Sequence, residues 1–317
     1  MLRKEDFFIL GGKVMKISKI FKMLILTLAI LLMSGCSGKL SIGNDSSYPM
    51  TIKDNSGMSV VIDKEPEKVV SLSPVTTEII AAIGGLDKLV GRTSYCDYPK
   101  EVKEVDEIGD LITVNVEKIV ELDPDLVIGS AYLDQGVRDQ LENAGMTVVT
   151  IYTEDSFEGT YKDIETIGKI LGKTKGAAQV VAEMKDKVES IKEKVAKAKT
   201  TPSVYFVVGF GAGGEFTATG DTFIHQMIEM AGGKNIAYDG VQWSFSLEKI
   251  VERNPELVIY SSMLDKNELI RTNGFKDLDS VKKGSVLSIE ANLIERTGPR
   301  LAEGLEELAK LIHPELY

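Results

Sequence analysis

Hydrophobic and polar positions alternate from Met50 through Ile52, break at Asp54-Asn55-Ser56-Gly57, and alternate again through Val60 and Ile62, which predicts a β-hairpin. Short apolar runs at 69–72, 126–128 and 147–151 read as buried strands, and helical spacing occupies 76–83, 116–121 and 135–144 between them. Strands alternating with helices predict a parallel sheet covered on both faces. Over 160–199 the period changes. Ile164, Ile167 and Leu171 continue, past Gly172 and Gly176, as Val180, Val181, Met184, Val188, Ile191 and Val195, which predicts one long amphipathic helix. Beyond Thr200-Thr201-Pro202 the first pattern returns, with strands at 204–208, 257–260 and 286–289 and a closing helix over 299–312. The predicted fold class is α/β: two lobes, 50–157 and 201–317, with mostly parallel central sheets joined by one long connecting helix within 158–200. A single helical connector bends less easily than several extended crossovers, so only small hinge motion is expected.

An internal repeat supports the two lobes. The segment from Asn115 to Ile128 parallels that from Ser246 to Ile259, and 131 residues separate Glu117 from its counterpart Glu248. Each copy offers an N-cap (Asn115, Ser246), a short helix, a proline stop and a buried strand. The apolar positions Val116, Ile119 and Val120, and likewise Leu247, Ile250 and Val251, are expected to face the lobe core, leaving Glu117 and Glu248 exposed in the first turn. Favourable interaction with the helix dipole is the simplest use of such glutamates.

The first 36 residues belong to neither lobe. Lys16, Lys19 and Lys22 precede an apolar run over 23–33 broken only by Thr27, and Ser34-Gly35 lead into Cys36, the layout of a secretory signal peptide. Eleven helical residues rise about 16 Å, half of what a membrane span needs. Residues 1–14 sit badly in this pattern, since Glu5 and Asp6 place acid where a signal is basic, and Met15 is the better start. Residues 37–49 are rich in Ser, Gly and Asn and read as a flexible tether.

Charge follows this division. Residues 1–35 carry +4 (six Lys and Arg against Glu5 and Asp6), so in a protein of net charge −11 the rest carries −15. So acidic a body repels phosphate backbones and excludes nucleic acid as a partner. The 317-residue chain is 43% hydrophobic and 27% charged, with mean hydropathy of zero, which excludes collagenous and polytopic membrane folds. Two histidines and two cysteines cannot build a three-histidine or four-cysteine zinc site, and removal of a signal at Cys36 leaves only Cys96 as a free thiol. No Ser or Cys has a histidine and an acid at hand, so no catalytic triad, enzymatic role or metal site is expected. Gly209 to Gly214 fits G-x-G-x-x-G after a strand, but Glu215 to Thr219 intervene before any helix, so the segment is not read as a dinucleotide site. His225 is expected on a solvated helix face, and His313 as a charge partner past the last helix.

Val69-Val70-Ser71-Leu72-Ser73-Pro74 with Thr77-Glu78, Ser94-Tyr95-Cys96-Asp97-Tyr98-Pro99, the paired Glu-Lys-Ile-Val segments, Ala231 to Ile236 and Gly298-Pro299-Arg300-Leu301 together resemble one family. It is the helical-backbone (class III) substrate-binding lipoproteins of ABC importers for cobalamin, haem and iron-siderophores, and the resemblance runs from about Glu67 to the C-terminus. The Ser-Tyr-x-Asp-Tyr-Pro motif and the Gln242-Trp243 loop are most similar to the vitamin B12-binding proteins. Leu32 to Cys36 resembles a lipobox, with Met33 where leucine is commoner, which implies acylation at Cys36 and a lipid anchor on the outer face of the cytoplasmic membrane, or on the periplasmic side where an outer membrane exists. The resemblance implies a monomer without cofactor that carries a corrinoid between its lobes, with haem or a ferric siderophore as the other cargoes left open. A lipid-anchored enzyme or adhesin on the same fold is the alternative of another class.

Within that reading Tyr95 and Trp243, one per half, would form flat walls for a corrin or porphyrin ring. Ser73 and Pro74 after the first strand of lobe one, and Phe210 after that of lobe two, would line the cleft mouth, and Arg296 would bind polar groups of the ligand. Glutamates at the positions of Glu117 and Glu248 dock, in the resembling family, onto arginines of a homodimeric permease that works with ATPase subunits, and one contact per lobe matches that two-fold symmetry.

Overall fold

The computed structural model describes residues 7–10, 13–16 and 47–317, apart from Tyr132 and Ala212. The chain divides into two units, Met1–Gly43 and Asn44–Tyr317. In the first unit, strand β1 (Phe7–Leu10) pairs antiparallel with β2 (Lys13–Lys16), Phe7 opposite Lys16. The apolar run over 23–33, Cys36 and most of the tether lie outside the described residues. Among the described residues no helix is long and apolar enough to cross a membrane.

The second unit opens with the hairpin β3 (Met50–Lys53) and β4 (Ser59–Ile62), Met50 opposite Ile62. The Asp54 carboxylate accepts hydrogen bonds from Ser56 N (3.0 Å) and Met58 N (3.1 Å), which closes the turn. Five parallel strands build the first sheet in the order β7-β6-β5-β8-β9. They are β5 (Val69–Ser71), β6 (Leu89–Arg92), β7 (Asp106–Glu107), β8 (Leu126–Gly129) and β9 (Val148–Thr150). Helices α1 (Pro74–Ala82), α2 (Val116–Leu122) and α3 (Gln135–Asn143) connect them.

In the second sheet, β10 (Ser203–Gly209), β13 (Leu257–Ser261) and β14 (Val286–Ile289) run parallel. The two-residue strands β11 (Phe216–Thr217) and β12 (Lys234–Asn235) flank β10, antiparallel and parallel respectively. The helices here are α6 (Phe223–Met230), α7 (Leu247–Arg253), α8 (Lys266–Leu269), α9 (Asp279–Lys283), α10 (Ala291–Ile294) and the closing α11 (Leu301–Ile312).

The predicted single helix over 160–199 is two helices, α4 (Phe157–Ile170) and α5 (Thr174–Val195). Gly172 takes φ +66°, which stops α4, and Lys173 N then donates to Gly168 O at 2.7 Å. The apolar period continues across the break because both helices bury one stripe against each other, with Gly168 packed on Ala177. The connector is therefore α5 alone, 22 residues or about 33 Å.

Side-chain parity along the strands explains how the lobes are built. Val69, Leu126, Ile128 and Val149 face a large core, while Val70, Leu72, Val127 and Val148 face a private one beneath α2 and α3. In the second sheet Val204, Phe206, Leu257 and Ile259 belong to that same large core, and Tyr205, Val207, Val258 and Tyr260 to a private core of their own. One face of each sheet thus contributes to a single apolar mass filled by α1, α4, α5, α6 and α11. The Phe157 and Phe223 rings meet edge to face within it, their centroids 5.6 Å apart.

Candidate functional site

Both sheets end their parallel strands toward loops that carry most of the side chains singled out from the sequence, the usual ligand position in open α/β sheets. After β5, Ser73 is buried and caps α1: its hydroxyl accepts from Thr76 N at 3.2 Å, and Pro74 supplies the first helical residue. After β6 comes Tyr95, 56% exposed, and after β10 comes Phe210, half-buried with its ring 6.2 Å from Phe275. Trp243 is 40% exposed in the turn between Val241 and Ser244. Exposed aromatic rings thus occur in both lobes.

Arg296, expected as a ligand contact, is tied within the protein. Its guanidinium crosses to the first lobe, donating to Glu78 Oε1 (2.9 Å), Asp97 Oδ1 (2.7 Å) and the carbonyl of Tyr95 (3.2 Å). Arg300 joins it, with Nε 2.8 Å from Glu78 Oε2 and Nη2 2.7 Å from Oε1, and its guanidinium lies 4.0 Å from the centre of the Tyr98 ring. Two arginines face two carboxylates, so the cluster is neutral. Burial opposes the charge on Arg296, but Asp97 and Glu78 outweigh it and hold the guanidinium above its ordinary pKa. Sequence reasoning left Glu78 and Asp97 without a role. The available signal was a carboxylate directly before the apolar run Ile79-Ile80 and two arginines spaced four apart.

A cavity of about 550 Å³ adjoins this cluster, between Glu78, Tyr98 and Arg300 on one side and Val180, Met184 and Lys187 of α5 on the other. Tyr95, Phe210 and Trp243 do not line it.

Glu117 and Glu248 are exposed in the first turns of α2 and α7, whose N-caps Asn115 and Ser246 accept from Lys118 N and Lys249 N. Both helices end alike, with Asp123 and Asn254 in the left-handed conformation. Val120 and Val251, expected in the core, are instead 40% and 41% exposed. A seven-residue helix presents one narrow stripe to its sheet, and Ile119 and Ile250 fill it completely.

Gly209 to Gly214 joins β10 to its antiparallel neighbour β11, not to a helix, in agreement with its exclusion as a dinucleotide site. His225 is half-buried, not solvated, with Nδ1 3.1 Å from Asn235 Nδ2. His313 is fully buried, 3.1 Å from Glu315 Oε1 through Nδ1 and 3.1 Å from Gly232 O through Nε2. Among the described residues no group of three or more His, Cys, Asp or Glu is arranged to hold a metal ion.

Two lobes, a helical connector and loops gathered at the strand ends define a binding protein. Residues 69–293 match the family model described as Periplasmic binding protein, and the chain belongs to that family, whose members are substrate-binding transport proteins and not enzymes. The uncharacterized ABC transporter substrate-binding lipoprotein YvrC of Bacillus subtilis is 37% identical over 304 residues, 92% of this chain and 96% of that one. A cobalamin-binding protein of Halobacterium salinarum is 30% identical over 84% of this chain and 75% of its own. Among solved structures, a possible iron-binding periplasmic solute-binding protein of Staphylococcus epidermidis superposes with a TM-score of 0.71 at 30% identity, covering 79% of this chain and 100% of that one.

Proposed function

We propose that the protein captures a corrinoid between its lobes and delivers it to the homodimeric permease of an ABC importer, from a lipid anchor at Cys36. The observation that carries this reading is the pair of exposed aromatics, Tyr95 and Trp243, one per lobe, on loops at the ligand-binding end of the sheets. A flat apolar ring system gains from two such faces, each worth about 1 kcal/mol beyond burial. The similarity to the Halobacterium cobalamin-binding protein supports a corrinoid cargo. Ser73 and Pro74 shape the loop after β5, Phe210 the loop after β10, and Arg296 serves the site by holding the Tyr95 carbonyl. The exposed, equivalent Glu117 and Glu248 are the proposed contacts with the permease. The lipobox and the naming of YvrC as a lipoprotein support anchoring on the outer face of the cytoplasmic membrane.

The second reading, haem or a ferric siderophore in the same place, rests on the likeness to the Staphylococcus iron-binding structure. Calorimetric titration of residues 37–317 with cyanocobalamin, haem and ferric siderophores separates the two. Saturable binding of cyanocobalamin with quenching of Trp243 supports a corrinoid; binding of an iron ligand alone establishes the second reading and refutes the first.

A further inference from the structure

Trp243 stands on a strained backbone. In the two-residue turn closed by the Val241–Ser244 bridge, Gln242 and Trp243 have φ of 53° and 61°. Such a primed turn normally uses Asn-Gly, because side chains crowd the left-handed region, and a bulky residue there is an outlier. The equivalent loop of the first lobe is built differently: the Gly109–Val114 bridge encloses four residues, its left-handed residue is a glycine, Gly109 (φ 102°), and Asp110 Oδ1 accepts from Ile112 N and Thr113 N. Where the first lobe uses glycine, the second puts Gln242 and Trp243 in the left-handed region, so local contacts must hold them there.

Two side chains do. Asp221 Oδ2 accepts from Gln242 N at 2.9 Å, and Thr219 Oγ1 accepts from Trp243 N at 3.1 Å. The Thr219 hydroxyl proton is spent on Asp221 Oδ1 at 2.5 Å, which turns a lone pair toward Trp243 N. Thr219 is itself fully buried, and its carbonyl accepts both Thr222 N (2.9 Å) and Thr222 Oγ1 (2.8 Å), Thr222 being the N-cap of α6. On the other side Thr217 N donates to Trp243 O at 2.8 Å. Both amides and the carbonyl are thus fixed, while the indole has no ring partner among the described residues.

We propose that Asp221 and Thr219 are positioning residues that hold the 241–244 turn left-handed, so that Trp243 offers its indole to the ligand as a pre-oriented face. The inference rests on the reading of Trp243 as a ligand contact, and its value is preorganisation, since ordering a side chain on binding costs affinity. Trp243 is the only tryptophan, so its posture can be read without ligand.

The experiment compares wild type with Asp221→Ala, Asp221→Asn and Asp221→Ala/Gln242→Asn, by tryptophan anisotropy and near-ultraviolet circular dichroism without ligand and by titration with cyanocobalamin and haem. Asp221 is exposed, so its variants are expected to keep the wild-type melting temperature. Asp221→Ala is expected to lower anisotropy, flatten the tryptophan dichroism and weaken binding roughly tenfold. Asp221→Asn keeps one acceptor oxygen for Gln242 N but puts an amide donor where the Thr219 hydroxyl donates, so it should restore part of each, and Gln242→Asn, which tolerates the left-handed region, should restore much of each. Wild-type anisotropy and dichroism in Asp221→Ala overturns the proposal, as does altered posture with unchanged affinity. If wild type binds neither probe, the reading of the cleft fails, and the ligand-free spectra still decide whether Asp221 sets the tryptophan.

Discussion

Glu78 and Arg300 meet across the lobe boundary in a two-pronged ion pair, with Nε and Nη2 at 2.8 and 2.7 Å from the two carboxylate oxygens, and the Glu78 side chain is 2% exposed. An arginine fork and a carboxylate match in geometry, and burial removes the water that would otherwise compete. Removing one partner of such a pair leaves the other charge buried and unmatched.

Glu78→Ala is therefore expected to destabilise the protein by about 3 kcal/mol, measured by urea denaturation, because it strands Arg300 and leaves Arg296 only Asp97 and the Tyr95 carbonyl. Arg300→Lys keeps the charge but loses the fork and should cost less. A Glu78→Ala variant as stable as wild type would show that the cluster contributes nothing net.

Acid should unfold the protein in part through Asp54. Burial raises its pKa, but hydrogen bonds from the Ser56 hydroxyl, Thr150 N and Arg138 outweigh that and hold it below the ordinary value of 3.8. A lowered folded-state pKa contributes stability that is complete above 3.8 and is lost as pH falls through the folded value. Asp54→Asn should lower stability at pH 7 and shrink the acid-induced loss below about pH 4, checked by melting curves from pH 2 to 7. An unchanged slope in that range would remove Asp54 from the account.

Backbone crowding makes a sharper test of the connector. A Cβ on Gly176, in the first turn of α5, would lie 2.2 Å from the carbonyl oxygen of Ile83 at the end of α1. Gly176→Ala should cost on the order of 2–3 kcal/mol, as overpacking against backbone does. Gly145→Ala, with open space around its Cβ but φ +87°, should cost only the left-handed penalty of about 1–2 kcal/mol. Equal melting temperatures for the two would contradict the packing at the α1–α5 contact.

Charge reversal tests the proposed permease contacts. Glu117→Lys/Glu248→Lys is expected to abolish uptake in cells while ligand affinity and melting temperature stay near wild type, and each single reversal should give an intermediate rate. Normal uptake by the double variant would return both residues to the status of helix-end charges.

The strand cores were legible because parallel strands buried on both faces are written as unbroken apolar runs, and Val69, Val127 and Val204 follow that rule. The N-caps Asn115 and Ser246 were legible for a similarly local reason. What escaped was polar burial. Strand β6, not among the predicted strands, contains Gly91 and Arg92; Gly91 packs against Val70, Leu122 and Ile108, and the guanidinium of Arg92 is satisfied by the carbonyls of Val102 and Thr93. Arg138 looks like a surface residue of α3 but is 2% exposed, paired with Asp54 across 84 positions of chain at 2.9 Å. The partners that make such burial tolerable are distant in sequence, so no local pattern announces them. The same holds at the candidate site, where Tyr95 and Trp243 could be named from residue type and loop position, whereas the ties on Arg296 and on the Trp243 turn depend on neighbours 199 and 24 residues away.

The single apolar mass between the sheets bears on whether either half can exist alone. The repeat around Glu117 and Glu248 has the mark of a duplicated unit, which invites cutting the chain near Pro202 to express one copy. Such a cut would divide one core, leaving Val204, Phe206 and Ile259 on one fragment and Ile79, Ile164 and Met184 on the other. Each fragment would carry a broad sticky face in water and should aggregate, or recover its fold only when mixed with its complement. The two copies of the repeat share one interior, and the halves are expected not to fold as separate modules.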